Sequence, residues 1–374
     1  MALPSRGGFE VTGEICAREL PRFLNGSQLE AVARAGTQRL TLIQGPPGTG
    51  KTTTAVEIVT FLLVKGISEP PMLVTADSNT AVDNLTKGLA LKGSKVVRVG
   101  RSESIREDCK EYVLEGQWGE LRKAEVVCAT CIGSGGEVLE RMRFGTVLVD
   151  ECTQATETAC LVPLCRGAQH LILIGDQCQL KPTVLSEWAQ NENLGNSLFN
   201  RFCEQGIRPT LLDTQYRMHP SICEFPSAAF YDGRLHTGIS HLTRPPPASF
   251  AWPARSLPVV FVDVVRGEEW REGASYTNGH EAEKVLWAMQ QLVRDASLRV
   301  EDIGVVTPYS AQVTLIKRLM RERQSCADFK QVETGSVDGF QGREKDVIIF
   351  TAVRANADGR VGFLTDWRRL NVML

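Results

Sequence analysis

The sequence predicts an α/β protein with mostly parallel sheets flanked by helices. Three observations predict it. Short apolar runs alternate with helical stretches along the chain. Those runs are apolar at consecutive positions, as in strands buried on both faces. Polar, chemistry-bearing residues fall just past the C-terminal ends of the runs, where ligands bind in open α/β sheets. The length of 374 residues suits two to three domains.

In order, the first-half strands read Leu40–Ile43, Met72–Thr75, Lys95–Val99, Glu125–Ala129, Thr146–Val149 and Leu171–Ile174. Right-handed crossovers place helices on both sides of such a sheet. The first of these helices reads Thr53–Val64, closed by Gly66. In the second half, Val259–Val265, Ile303–Val306, Val332–Thr334 and Asp346–Thr351 read as strands. Glu281–Val293 and Gln312–Met320 read as helices with apolar stripes. Between the halves, Leu211–Arg217 carries a strand and then polar motif residues. The boundary is placed near Pro209, giving domains 1–208 and 209–374. Pro245-Pro246-Pro247 and Pro253 mark a long surface loop.

Composition sets bounds on function. A hydrophobic content of 43% with 23% charged residues is that of an ordinary soluble domain. The net charge of −2 supplies no global pull toward nucleic acid, so any nucleic-acid site must be a local groove. The longest apolar run, Ile58–Val64, is too short to span a membrane. Arg6, Glu10 and Glu14 interrupt the N-terminus, so no secretory signal is expected. Eleven cysteines scattered among apolar strands suggest buried free thiols in a reducing compartment. Cys128 and Cys131 have the spacing of half a zinc site, but no second pair follows. They read as strand-end cysteines on opposite faces. His219, His236, His241 and His280 make no ligand spacing.

Gly45-Pro46-Pro47-Gly48-Thr49-Gly50-Lys51-Thr52 lies between a strand and a helix, the context a phosphate-binding loop requires. Its glycines let backbone N–H groups turn toward phosphate oxygens, and the start of the following helix favours the same anion. Lys51 is placed to reach the β/γ phosphates, and the Thr52 hydroxyl to ligate Mg²⁺. Val147-Leu148-Val149-Asp150-Glu151 is an apolar run ending in two carboxylates. Asp150 fits Mg²⁺, and Glu151 fits the orientation and deprotonation of an attacking water. A strand alternates faces, so a turn must begin here if both are to serve one site. Gly175-Asp176-Gln177-Cys178-Gln179 ends a third run. Gln179 is either a sensor of the γ-phosphate or a buried structural amide. A small-molecule kinase would leave Glu151, Gln179 and Arg217 unexplained.

Three such strand ends in this order resemble the superfamily 1 helicases. Gln215-Tyr216-Arg217-Met218-His219-Pro220 and Ser336-Val337-Asp338-Gly339-Phe340-Gln341-Gly342-Arg343-Glu344 tighten the resemblance. Asp150–Glu157, Val353–Asn356 and Arg368–Val372 are most similar to the up-frameshift RNA helicases, the regulators of nonsense transcripts. The resemblance runs from about Leu24 to the last residue. It implies two tandem RecA-like domains, ATP with Mg²⁺, and 5′-to-3′ movement on single-stranded RNA, with DNA as a second candidate. It implies that Gln28 reads the adenine edge and that Tyr216 stacks on the ring. Thr53 joins the nucleotide site, Arg217 acts as an arginine finger on domain closure, and Gly342 and Glu344 approach the nucleotide. It implies a nucleic-acid face at Ser78, Asn79, Thr130, Thr307, Pro308, Tyr309, Ser336 and Arg354. It also implies decay-factor or ribonucleoprotein partners, a place in nonsense-mediated decay, and a cytoplasmic or nuclear location.

The sequence also departs from that pattern. Arg368-Arg369-Leu370-Asn371-Val372-Met373-Leu374 reads as the start of a sixth motif whose continuing Thr-Arg would supply a second finger. The second domain is therefore expected to be incomplete at its C-terminus. The expected alternative to a motor is a nucleotide-gated clamp with little turnover. The family's N-terminal zinc domain and barrel insertion are not recognised, and the insertion at Ser102–Arg122 is short. Asp77 stands where relatives often have proline, an acidic group beside the expected strand path.

Overall fold

The consecutive apolar runs of the first half become the strands of one sheet. They are β1 (Leu40–Gln44), β2 (Met72–Ala76), β3 (Val96–Val99), β4 (Val126–Thr130), β5 (Thr146–Asp150), β6 (His170–Gly175) and β7 (Thr210–Leu211). The structure, a computed structural model, describes residues 20–114, 118–254, 257–294, 298–323 and 329–374. Arg6, Glu10 and Glu14 lie outside them. Two compact units result. One holds the described residues up to Gln177 together with Lys181–Arg217; the other holds Cys178–Leu180 and Met218–Leu374.

In the first unit the strand order is β3-β4-β2-β5-β6-β1-β7, and every pairing is parallel. Helices α1 (Gly26–Thr37), α2 (Lys51–Val64) and α3 (Asn79–Leu91) cover one face. Their Val32, Ile58, Leu62 and Leu85 pack with Ile43, Val74, Leu148 and Ile172 of the strands. The alternate strand residues Leu42, Leu73, Val147 and Leu173 pack on the other face with Phe144, Leu198 and Phe199. Cys128 falls in the first layer and Cys131 in the second, so the two thiols do face opposite sides. Burying each such aliphatic side chain contributes about 1.5–3 kcal/mol, which explains why runs apolar at every position become central strands.

The strand between the halves is short. β7 stops at Leu211, and a separate two-residue strand, β8, covers Thr214–Gln215. Asp213 makes the break. Its backbone N–H donates to Ser27 Oγ at 3.2 Å, and its carboxylate accepts from Ser27 Oγ at 2.9 Å and Thr214 Oγ1 at 2.8 Å. These bonds draw the chain off the sheet toward the start of α1.

The second unit holds β9 (His236–Thr237), the antiparallel ribbon β10 (Trp270–Glu272) and β11 (Ser275–Thr277), and a parallel sheet of β12 (Ile303–Thr307), β13 (Glu333–Ser336) and β14 (Val347–Phe350). The order in that sheet is β13-β12-β14. Helices Gly279–Leu292 and Ser310–Glu322 supply Val285, Leu286, Met289 and Ile316 to its core. Val259–Val265 is not a strand. Its apolarity suits a ladder, but no described strand edge lies against it. Phe261 is 90% and Val265 86% exposed. β-propensity reflects a half-buried pleated surface, and without a neighbour it decides nothing. No helix among the described residues is long and apolar enough to cross a membrane.

Candidate nucleotide and nucleic-acid sites

The C-terminal ends of β5, β6 and β1 are neighbours in the first sheet, and the motif residues sit there. Gly45 to Gly50 link β1 to α2, which begins at Lys51. Gly48 has φ +74°, and a Cβ there would lie 2.6 Å from Arg217 Cβ, so only glycine fits. Thr49 is buried and its hydroxyl donates to Pro46 O at 2.7 Å, tightening the loop. Lys51 Nζ donates to Gly45 O at 2.8 Å and lies 3.6 Å from Glu151 Oε1. Thr52 and Thr53 occupy the first turn of α2.

Asp150 closes β5 almost fully buried, and Thr52 Oγ1 donates to its Oδ2 at 3.5 Å. A hydroxyl facing a carboxylate gives two hard oxygen donors, a set that fits Mg²⁺. Burial pushes the Asp150 carboxyl up to about 7; Glu151 adds to the rise and Lys51 opposes it. A divalent cation would reverse that rise. Glu151 has φ +50°, in the left-handed region. That is the turn two adjacent carboxylates need, and strain of this kind is common at functional sites. Gln154 Nε2 holds Glu151 Oε2 at 2.9 Å.

On the adenine side, Gln28 is buried at the start of α1. Its Nε2 donates to Thr49 O at 3.1 Å, and its Oε1 accepts from Asn25 N at 3.1 Å, within a capping box. Both ends of the amide are thus engaged with the loop and the cap. Tyr216 is 43% exposed, and its hydroxyl accepts from Asn25 Nδ2 at 2.9 Å. Its backbone N–H donates to Gly48 O at 2.9 Å. Arg217 N–H donates to Gln215 Oε1 at 2.7 Å, so its backbone also rests beside the phosphate loop. Gln179 falls in the second unit, where it is buried and its Oε1 accepts from Gln341 Nε2 at 3.3 Å. Gly342 (φ +78°) and Glu344 are exposed residues of that unit.

The same sheet edge continues across β2 and β4. Asp150, Ala76 and Thr130 are register partners on adjacent strands. Two strand spacings, about 10 Å, therefore separate the candidate cation ligand from the candidate nucleic-acid residue Thr130. Thr130 Oγ1 accepts from Gly133 N at 3.0 Å. Ser78 caps α3, and Asn79 opens it. Arg98, fully buried on β3, donates to Asn79 Oδ1 at 2.9 Å and to Asp83 Oδ1 at 2.9 Å. The charged donor occupies Oδ1, so any donation to a phosphate or sugar would come from the Asn79 amide nitrogen.

In the second unit Thr307, Ser336 and Arg354 also follow strand ends, but the chain covers them. Thr307 is fully buried with Oγ1 unpartnered. Pro308 is half-buried, and Ser336 caps the short helix Val337–Phe340. Tyr309 is 1% exposed, edge-on to Tyr276 and Phe363, and so presents no ring face for stacking on a base in this conformation. A Cβ on Gly362 (φ +61°) would strike Tyr309 and Arg354. Arg354 lies over the Tyr276 ring at 4.4 Å and is ion-paired to Glu269 at 2.8 Å.

Several side chains that position these sites carry no local sequence signal. Arg98 and Glu269 are examples, because each acts through a partner that spacing does not reveal; Gln154 sits only three residues from Glu151. Asn25 is different: Asn-x-x-Gln before an apolar stripe is a readable cap.

Comparison with known proteins follows the geometry. Two family profiles, each described as an AAA domain, match residues 23–123 with 119–187, and 194–374. The regulator of nonsense transcripts 1 homolog of Drosophila melanogaster is 39% identical over 396 residues, covering 94% of this chain and 33% of that protein. The ATP-dependent helicase NAM7 of Saccharomyces cerevisiae is 40% identical over 403 residues, covering 95% of this chain and 41% of that protein. The chain therefore spans about a third to two-fifths of the length of these relatives. Among solved structures, the arterivirus nonstructural protein 10 helicase with DNA aligns at a TM-score of 0.48 and 13% identity, over 91% of this chain and 61% of that one. The PRRSV helicase aligns at 0.45 and 15%, over 92% and 52%. Two successive AAA domains thus account for most of the chain, which belongs to the AAA-domain proteins and is similar over nearly its whole length to the regulators of nonsense transcripts 1.

Proposed function

We propose that the chain hydrolyses ATP and couples hydrolysis to 5′-to-3′ movement on single-stranded RNA, with single-stranded DNA as a further track. One observation carries this most: Lys51, Thr52, Asp150 and Glu151 converge at neighbouring strand ends of one sheet. The candidate grip residue Thr130 stands two strands from Asp150. Thr52 and Asp150 would hold Mg²⁺, which supplies charge neutralisation at the phosphates. Lys51 binds the phosphates as a point charge. Glu151, held by Gln154, takes the proton of the attacking water. Arg217 contributes a positive charge beside the phosphate loop, and Gln179 responds to the γ-phosphate. Tyr216 stacks on the base, with Gln28 at its edge; Gly342 and Glu344 complete the nucleotide surroundings. Ser78, Asn79 and Thr130 contact backbone phosphates and sugars, as small polar groups do without reading sequence. Pro308, Ser336 and Arg354 form the grip of the second unit, which Thr307 and Tyr309, both buried here, join only on uncovering.

The two domains are taken as 1–208 and 209–374, both RecA-like. A role in nonsense-mediated decay rests on the names of the relatives; decay-factor partners and a cytoplasmic or nuclear location rest on the resemblance alone.

The test is phosphate release from ATP with and without poly(U) at low salt, with Lys51→Ala as control. RNA-stimulated release that disappears in the control is expected. Binding of nucleotide and RNA without turnover would replace the motor by a nucleotide-gated clamp.

A further inference from the structure

The turn after β14 is built as an anion cradle. Arg354 Nε donates to Glu269 Oε2 at 2.8 Å, and Arg354 Nη2 donates to Oε1 at 3.2 Å. Ala355 N–H donates to the same Oε2 at 2.8 Å, and Asn356 Nδ2 at 3.0 Å. Four donors from three consecutive residues thus converge on one carboxylate. A guanidinium fork, a backbone N–H and an amide are the groups that bind phosphate oxygens.

The convergence is imposed by backbone strain. Val353 has φ +68°, a genuine outlier for a β-branched residue, and is fully buried. Its N–H donates to Glu281 Oε2 at 2.9 Å, and its carbonyl accepts from Asn278 Nδ2 at 3.1 Å. Asn278 is held in turn by the buried Gln312, whose Oε1 accepts from Asn278 N at 2.9 Å and whose Nε2 donates to Asn278 O at 3.1 Å. The surrounding polar network fixes Val353 in a strained conformation, and the donors of the next three residues turn to one point. The occupant rests on weaker support. Glu269 lies in an irregular segment just before β10, whose three residues are exposed. Its carboxylate is also held well below the usual range, at about 2, chiefly by Arg354.

We propose that Arg354-Ala355-Asn356 is a phosphodiester-binding cradle and that Glu269 is its internal occupant. Single-stranded nucleic acid engages the second unit by displacing a carboxylate of the same chain. A carboxylate and a phosphodiester each present one negative charge and paired oxygens, so the exchange leaves the charge of the cradle balanced. This rests on the nucleic-acid reading above and adds a control to it: the protein's own carboxylate taxes affinity, as any occupied state does.

The experiment uses the full chain and a fluorescein-labelled oligouridylate, with anisotropy read across a potassium chloride series. Glu269→Ala is expected to bind roughly tenfold more tightly than the parent at low salt. Its log–log salt slope should be steeper by about one, because in the parent the displaced carboxylate regains a counterion and in the variant no such group exists. Glu269→Gln, which keeps the shape and an acceptor but not the charge, should fall between the two. Arg354→Ala should weaken binding. If folded Glu269→Ala and Glu269→Gln bind no tighter than the parent, or more weakly, Glu269 positions Arg354 and the displacement idea is overturned. Should Glu269→Ala fail to melt cooperatively, Glu269→Gln alone decides. If the parent and every variant fail to bind, the nucleic-acid reading itself falls and the cradle proposal with it.

Discussion

The two sheets end their strands in the same way and offer the results differently. In the first unit, Lys51 and Glu151 remain partly exposed, Ser78 is exposed and Asn79 is half-buried. In the second, Thr307 and Tyr309 are buried and Arg354 is paired. The first sheet has seven strands and both faces covered; the second has three, and the apolar Val259–Val265 stands outside it. Motif position therefore follows from where strands end. Availability of a motif side chain depends on which distant residue the chain folds onto it.

Substitutions can break or sharpen that contrast. The largest effect is expected at the open edge of the first sheet. Glu151→Gln should lower ATP turnover by about 10²–10⁴-fold with nucleotide affinity retained, as for loss of a general base. Single-turnover kinetics check it, and an unchanged rate would remove Glu151 from the chemistry. Next is the buried pair beneath Asn79. Arg98→Ala leaves Asp83 uncompensated and should cost about 3–5 kcal/mol in urea unfolding. It should also weaken oligonucleotide binding. A loss below about 1 kcal/mol would show that the pair is dispensable.

Acid separates the two units. Burial holds His170 down at about 4, so the folded first unit binds fewer protons than the unfolded chain between pH 6.5 and 4. Its stability should fall as pH drops through that window, by roughly 3 kcal/mol in all. Glu269 is depressed to about 2, so its contribution persists until pH falls below the usual glutamate range. Asp150, held up at about 7 in the same unit, takes up a proton as pH falls and opposes this loss, so the His170 contribution is read as the difference between parent and His170→Gln melts of the first unit. His170→Gln should flatten its slope.

Smaller effects test the second unit. Asn278→Ala removes a helix cap and one clamp on Val353, and should cost about 1–2 kcal/mol. Phe261→Ser should change stability by less than about 0.5 kcal/mol, since the ring is exposed. A large loss there would mean that Val259–Val265 is packed after all.

How far the sequence could be read differs by element. Every first-half strand appears within one or two residues of its reading, because burial on both faces leaves an uninterrupted apolar signature. Val259–Val265 is also mostly apolar but pairs with no strand among the described residues, since apolarity specifies a need for cover and not a partner. The turn at Glu151 followed from two carboxylates sharing a strand end, and φ +50° supplies it. The burial of Tyr309 and the capture of Arg354 could not be read. Glu269 and Phe363 reach them from distant or irregular segments, and nothing in the residue spacing encodes those meetings.

The strand order also sets a clock. β1, which carries the nucleotide loop, is flanked by β6 and β7, whose register partners arrive about 130 and 170 residues later. At roughly 5–20 residues per second, β1 waits on the order of ten seconds for its first neighbour during synthesis. Through that interval its unpaired backbone edge stays open, and non-local pairing of this kind folds slowly. A nascent chain arrested before β6 therefore has no formed nucleotide cradle. It should bind chaperones in place of nucleotide.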